Sequence, residues 1–178
     1  MKILALDSST LTGTAAVVVD GEVMAESTAR VRSTHSEQLL PLVDEVLGRA
    51  GVTLGALDRI AVGIGPGSFT GVRLGVSTAK GLHLATGVPL VGVTSLDALA
   101  ASAWAHRGSL LAALDGRRDE VFASLHDCGE TRELVGLHHG SPEAVGAAVL
   151  SAARGVVTVV GDLSAALFQR LAQAAPQR

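Results

Sequence analysis

The chain has 178 residues, 48% of them apolar and 17% charged, with 14 basic side chains against 17 acidic ones for a formal net charge of −3. The apolar share excludes a disordered chain, and no stretch of about 18 apolar residues runs free of Gly, Pro and charge, as a membrane-spanning helix requires. A single cysteine, Cys128, excludes a disulfide framework and a four-cysteine zinc site. Three Phe, one Trp and no Tyr leave little to stack on bases. The densest basic spot, Arg117-Arg118, is flanked by Asp115, Asp119 and Glu120. No phosphate-tracking surface is therefore expected, and any nucleic acid would be met only indirectly, through a partner. Met1 to Leu6 has a basic start and an apolar stretch, but Asp7 interrupts it and no small-residue cleavage site follows. A signal peptide is not expected, and the expected location is cytoplasmic.

In chain order, Lys2 to Leu6 reads as a strand broken by Asp7-Ser8-Ser9-Thr10. Ala15 to Val19 and Glu22 to Glu26 flank Asp20-Gly21, a strong hairpin turn, so the chain opens on three antiparallel strands. Ser33 or Thr34, with Glu37 as capping partner, starts a helix whose apolar positions Leu39, Leu40, Val43, Val46, Leu47 and Ala50 follow the 3.6 period. Arg59 to Gly65 is a buried strand, Gly65 to Gly71 a tight loop, Val72 to Thr86 a helix and Pro89 to Val93 a strand. A helix from Ser95 to His106 leads to Gly108-Ser109, the expected boundary between two parts. The second part restarts with strands 110–115 and 120–126, a third near 133–137, a helix opened by Ser141-Pro142, a strand 156–160 and a helix 163–175. Two α/β lobes follow from this twofold alternation.

Asp7-Ser8-Ser9-Thr10 offers a carboxylate, hydroxyls and N–H groups to a phosphate or metal, but the same residues also bond their own backbone, and the spacing favours that turn. The Gly65–Gly71 loop fails both nucleotide patterns. A dinucleotide fingerprint read from Gly65 has Thr70 at its sixth place, and read from Gly63 it has Ser68 there. A Walker loop needs lysine where Val72-Arg73 stand. Helix N-terminal N–H groups remain, and a structural elbow is an equal reading. His35 has Leu39 four residues on, so the paired ligands of a metal-binding helix are incomplete, and adjacent His138 and His139 would face opposite ways in a strand. No metal site is expected. Ser68 lacks a nucleophile elbow, and Asp127 and Glu130 should raise the Cys128 pKa. Gly71, Gly75 and Ala79 make a small-residue stripe open to close approach of another backbone. With Leu39, Val43 and Val46 from the preceding helix, they form the candidate partner interface, although a core role is the commoner one for such positions.

Several stretches carry a resemblance: ILALDSST at 3–10, HSEQLLPLV at 35–43, GIGPGSFTGVRLGVSTAKGL at 63–82, PLVGVTSLDALA at 89–100 and, more faintly, LLAALDGRRDEVFASL at 110–125. In these the chain resembles the TsaB (YeaZ) family of bacterial tRNA threonylcarbamoyl-adenosine biosynthesis proteins. The resemblance implies an α/β fold of the actin/Hsp70/sugar-kinase (ribonuclease H-like) kind, with lobes over 1–107 and 108–178. The second lobe is expected to be shortened, because family members run longer. It implies a non-catalytic subunit that binds and activates a TsaD-like catalytic subunit, works with a TsaE-like ATPase and meets tRNA only indirectly; separately, an exposed apolar helix face predicts a homodimer when the chain is alone. ATP and metal would belong to those partners, leaving no cofactor of its own. Two departures agree with silence: His35 lacks its second metal ligand, and Arg117-Arg118 occupy a second phosphate turn beginning Asp115-Gly116. Asp7, Ser8, Ser9 and Thr10 keep the look of a remnant first turn. An active small phosphotransferase using Asp7 and Asp115 around Mg²⁺-ATP is the alternative, and a dinucleotide-binding domain ranks last.

Overall fold

The computed structural model describes residues 1–30, 39–103, 105, 108–128 and 132–174. It divides into two compact units, Met1–Ser95 and Leu96–Arg178. The expected cap at Ser33 or Thr34, its partner Glu37, and His35 lie outside the described residues.

In the first unit, β1 (Lys2–Asp7), β2 (Thr12–Val19) and β3 (Glu22–Arg30) form the antiparallel meander, followed by α1 (Leu39–Ala50), β4 (Arg59–Gly63), α2 (Phe69–Thr86) and β5 (Leu90–Val93). The sheet order is β3-β2-β1-β4-β5, with β4 parallel to β1 and β5 parallel to β4. The β2–β3 turn places both Asp20 (φ 50°) and Gly21 (φ 90°) in the left-handed region, as a type I′ hairpin requires. Strand alternation sends Leu4, Leu6, Ala15, Val17, Ile60 and Val62 to one face, where they pack with Leu39, Leu42, Val43, Val46 and Leu47 of α1 and Ala79 of α2. Each such Leu, Ile or Val contributes about 1.5–3 kcal/mol by leaving water. α2 starts three residues earlier than the periodicity suggests, because Ser68 caps it, its hydroxyl oxygen accepting from the Gly71 N–H at 3.3 Å. Gly87 ends it at φ 74°.

The second unit contains α3, whose first residue is Ser95 (Ser95–Ser102), then β6 (Ser109–Arg117), β7 (Glu120–Asp127), β8 (Arg132–Gly140), α4 (Pro142–Val149), β9 (Val157–Asp162) and α5 (Ala165–Ala174). Its sheet order is β8-β7-β6-β9, with β9 parallel to β6. This repeats the first four positions of the first sheet, with four strands where the first has five. Leu111, Ala113, Val121, Ala123 and Leu125 pack with Val145 and Val149 of α4 and Leu167 and Leu171 of α5. On the opposite face, Leu110 and Ala112 pack with Leu96 and Ala100 of α3. That contact assigns α3 to the second unit and puts the division after Ser95, where composition had suggested 107/108. Gly108 is a tight approach rather than a hinge: at φ 93°, an added Cβ would lie 3.1 Å from the Val156 carbonyl oxygen. Among the described residues no helix is long and apolar enough to cross a membrane.

Candidate functional site

Three of the motif stretches, 3–10, 63–82 and 89–100, converge at the C-terminal ends of β1, β4 and β5, where open parallel sheets commonly take ligands. Asp7 ends β1, and its Oδ1 accepts from both the Ser9 N–H and the Ser9 hydroxyl, each at 2.9 Å. Its Oδ2 faces Gly63, where a Cβ would sit 1.8 Å away. Ser8 is buried, 3% exposed, and its hydroxyl donates to the Gly71 carbonyl at 2.8 Å. The buried Ser9 accepts at its carbonyl from the Ser68 N–H at 2.7 Å, and its Oγ lies 3.3 Å from the donating Ser95 hydroxyl. The Ser95 N–H in turn donates to the Gly65 carbonyl at 2.8 Å.

Glycines make this closure possible. A Cβ would lie 2.5 Å from the Ser9 carbonyl oxygen at Gly67, 1.8 Å from the Ser8 carbonyl oxygen at Gly71 and 2.8 Å from Ser8 Oγ at Gly75. The loop is thus an elbow that clamps the Asp7–Ser9 turn. The N–H groups of Ser9, Ser68, Gly71 and Ser95 all donate within the chain. Thr10 is exposed, its hydroxyl engaged with the Thr12 backbone.

These contacts correct the sequence-derived interface. Leu39, Val43 and Val46 are buried core residues, Ala79 is 0% exposed, and Gly71 and Gly75 are buried. The backbone that the 71–75–79 stripe admits is the chain's own β1 turn. The outward face of α2 carries a different series: Phe69 (81% exposed), Arg73, Ser77, Lys80, Gly81, Leu84 (82% exposed) and Ala85. Ser77, Gly81 and Ala85 also repeat every four residues, about 120° around the helix from the buried stripe. The sequence held both stripes; lysine and arginine beside the second were the signal that it faces water.

In the second unit, Asp115 is exposed and its Oδ1 accepts from the Arg117 N–H at 2.7 Å. His139 stacks on Phe122 with ring centroids 4.4 Å apart and bonds Glu120 at 2.8 Å. Arg170 of α5 reaches Glu143 through Nε and Nη2, at 2.8 and 3.0 Å, and Asp119 through Nη1. The hydrogen bonds with Arg170 lead the causes that pull the Glu143 carboxyl down to about 2. Burial, then Asp127, raises the Cys128 thiol, while Glu130 lies outside the described residues. Among the described residues, no three His, Cys, Asp or Glu side chains gather as a metal site.

The family model of TsaD, tRNA N6-adenosine threonylcarbamoyltransferase, matches residues 22–159, more than half of the chain. The chain is 38% identical, over 79% of its length and 59% of the relative's, to the tRNA threonylcarbamoyladenosine biosynthesis protein TsaB of Escherichia coli (strain K12). It thus spans less than two thirds of the curated relatives it matches. YeaZ from Pseudomonas aeruginosa superposes with a TM-score of 0.81 at 31% identity, over 99% of this chain and 81% of that one. A component of the (R)-2-hydroxyglutaryl-CoA dehydratase of Acidaminococcus fermentans matches at a TM-score of 0.51 and 14% identity, over 79% of this chain and 48% of that one, a likeness of fold alone. The fold is of the actin/sugar-kinase kind, and the chain belongs to the TsaB (YeaZ) family.

Proposed function

We propose that the chain is a non-catalytic, cytoplasmic subunit of the threonylcarbamoyl-transfer complex that binds and activates a TsaD-like catalytic subunit, with a TsaE-like ATPase joining the assembly. The observation that carries the pairing is the outward face of α2. A mid-helix glycine is destabilising by about 0.5–1 kcal/mol relative to alanine, yet a Cβ added at Gly81 would meet nothing within 4 Å. Set between Ser77 and Ala85 and beside exposed Leu84, it offers a shallow track for a partner helix. The same face would join two copies when the subunit is alone.

Catalytic silence is supported by the closed turn at Asp7. Phosphate binding there would require the chain's own hydrogen bonds to open, so ATP and metal belong to the partner subunits in this reading. Leu84→Asp should leave the fold intact and abolish co-elution with the TsaD-like subunit; undiminished pairing would refute the surface. The alternative, a small phosphotransferase, is favoured by the carboxylate kept at the end of β1. It requires magnesium-dependent ATP binding by the isolated chain, which titration at millimolar ATP decides.

A further inference from the structure

The β2–β3 turn runs through positive φ on Asp20-Gly21, residues that suit it. The β6–β7 turn, whose counterpart in the first unit is the β1–β2 connection, places Arg117, Arg118 and Asp119 in succession at φ 65°, 52° and 68°, a backbone disfavoured for side chains of this size. Strain held this way by surrounding structure is more usual at functional positions. Here Arg170 holds it, tying Asp119 at the tip to Glu143 of α4.

The charges around the tip are arranged to one end. Asp115, Asp119 and Glu120 flank the arginines in the sequence, yet Asp119 pairs with Arg170 and Glu120 bonds His139, which leaves Asp115, accepting from the Arg117 backbone N–H, beside them. Both Arg117 and Arg118 are exposed, and among the described residues neither guanidinium has an ion-pair partner. We infer that the β6–β7 tip is a contact for the phosphate backbone of RNA, with Arg117 and Arg118 each holding a phosphate. Planar guanidinium groups suit phosphate oxygens. The RNA rests on the reading under Proposed function, in which the complex works on tRNA.

The test is binding of a tRNA transcript to the complex of this chain with a TsaD-like subunit, followed by fluorescence anisotropy from 50 to 200 mM salt. Loss of two phosphate contacts in R117Q/R118Q should weaken binding and reduce the salt-driven loss of affinity across that range about tenfold. R117K/R118K should keep the wild-type salt dependence. R117G/R118G, whose glycines suit the positive φ, carries the test if the glutamine variant fails to fold. Salt dependence and affinity unchanged in a folded variant, or tip-dependent binding to an acidic peptide with none to tRNA, would overturn the inference. Failure of the wild-type chain to pair with the TsaD-like subunit refutes the function reading instead, and the same titrations on this chain alone then decide the RNA contact.

Discussion

Gly71 and Gly81 lie on the same helix, and the structure assigns opposite consequences to replacing each by alanine. At Gly71 the new Cβ would stand 1.8 Å from the Ser8 carbonyl oxygen. Carbon and oxygen sit no closer than about 3.3 Å even in a weak C–H···O contact, so the first turn of α2 must slide off the end of β1. That displacement strains the buried bond from the Ser8 hydroxyl to the Gly71 carbonyl, and a buried polar group left unmade costs about 1–3 kcal/mol. Overpacking adds about 1–3 kcal/mol, less the helical gain of about 0.5–1 kcal/mol for alanine over glycine. The expected net loss is about 2–4 kcal/mol, and at about 4–8 °C per kcal/mol for a unit of this size the melting temperature should fall by about 10 °C or more. At Gly81 nothing lies within 4 Å, so only the helical gain remains and melting should rise by a few degrees, while the added methyl fills the track offered to a partner helix. Circular dichroism melts of the two variants decide both signs. A Gly71→Ala protein melting within a degree or two of the parent would refute the account of the clamp, as would a Gly81→Ala protein that loses stability.

Other outcomes follow from the same contacts. Val43→Asp buries an unpaired carboxylate in the core and should unfold the first unit, whereas Leu84→Asp should give a native circular dichroism spectrum and lose only partner binding. Ser8→Ala should destabilise by about 1 kcal/mol through loss of the buried bond from its hydroxyl to the Gly71 carbonyl, read by urea denaturation. Glu143, held at about 2 against an ordinary 4.5, takes up its proton in the unfolded chain first as the pH falls. Its contribution is therefore complete above about pH 4.5 and is lost toward pH 2. Glu143→Gln should flatten the fall of melting temperature over that window, and added salt should shrink the difference because the pair with Arg170 is exposed. Cys128, with its pKa raised, should alkylate more slowly at pH 8 than a free thiol standard.

Much of the architecture was legible because it rests on local signals: strand alternation into Leu4 and Leu6, Asp20-Gly21 at a type I′ turn, and Ser141-Pro142 opening α4, where the Ser141 hydroxyl accepts from the Ala144 N–H. The four-residue spacing of 71, 75 and 79 was equally visible, and so was the closeness it permits. Its partner was not, since Ser8 lies 63 residues from Gly71 in the chain and helical periodicity cannot say what fills a groove. The same limit hid the Arg170 fork, which spans 27 residues to Glu143 and 51 to Asp119. Of the acids beside Arg117-Arg118 in the sequence, Asp119 and Glu120 thus bond Arg170 and His139. Charge adjacency in sequence is a poor guide where side chains leave in different directions from a tight turn.

The central claim is that the chain pairs with a catalytic subunit rather than turning over a substrate itself. Calorimetric titration of this chain into the TsaD-like protein from the same genome tests it most directly. The account predicts saturable binding at one-to-one stoichiometry, abolished by Leu84→Asp and weakened by Gly81→Ala. A folded chain that gives no binding heat and no co-elution, or one whose binding ignores both substitutions, would contradict it.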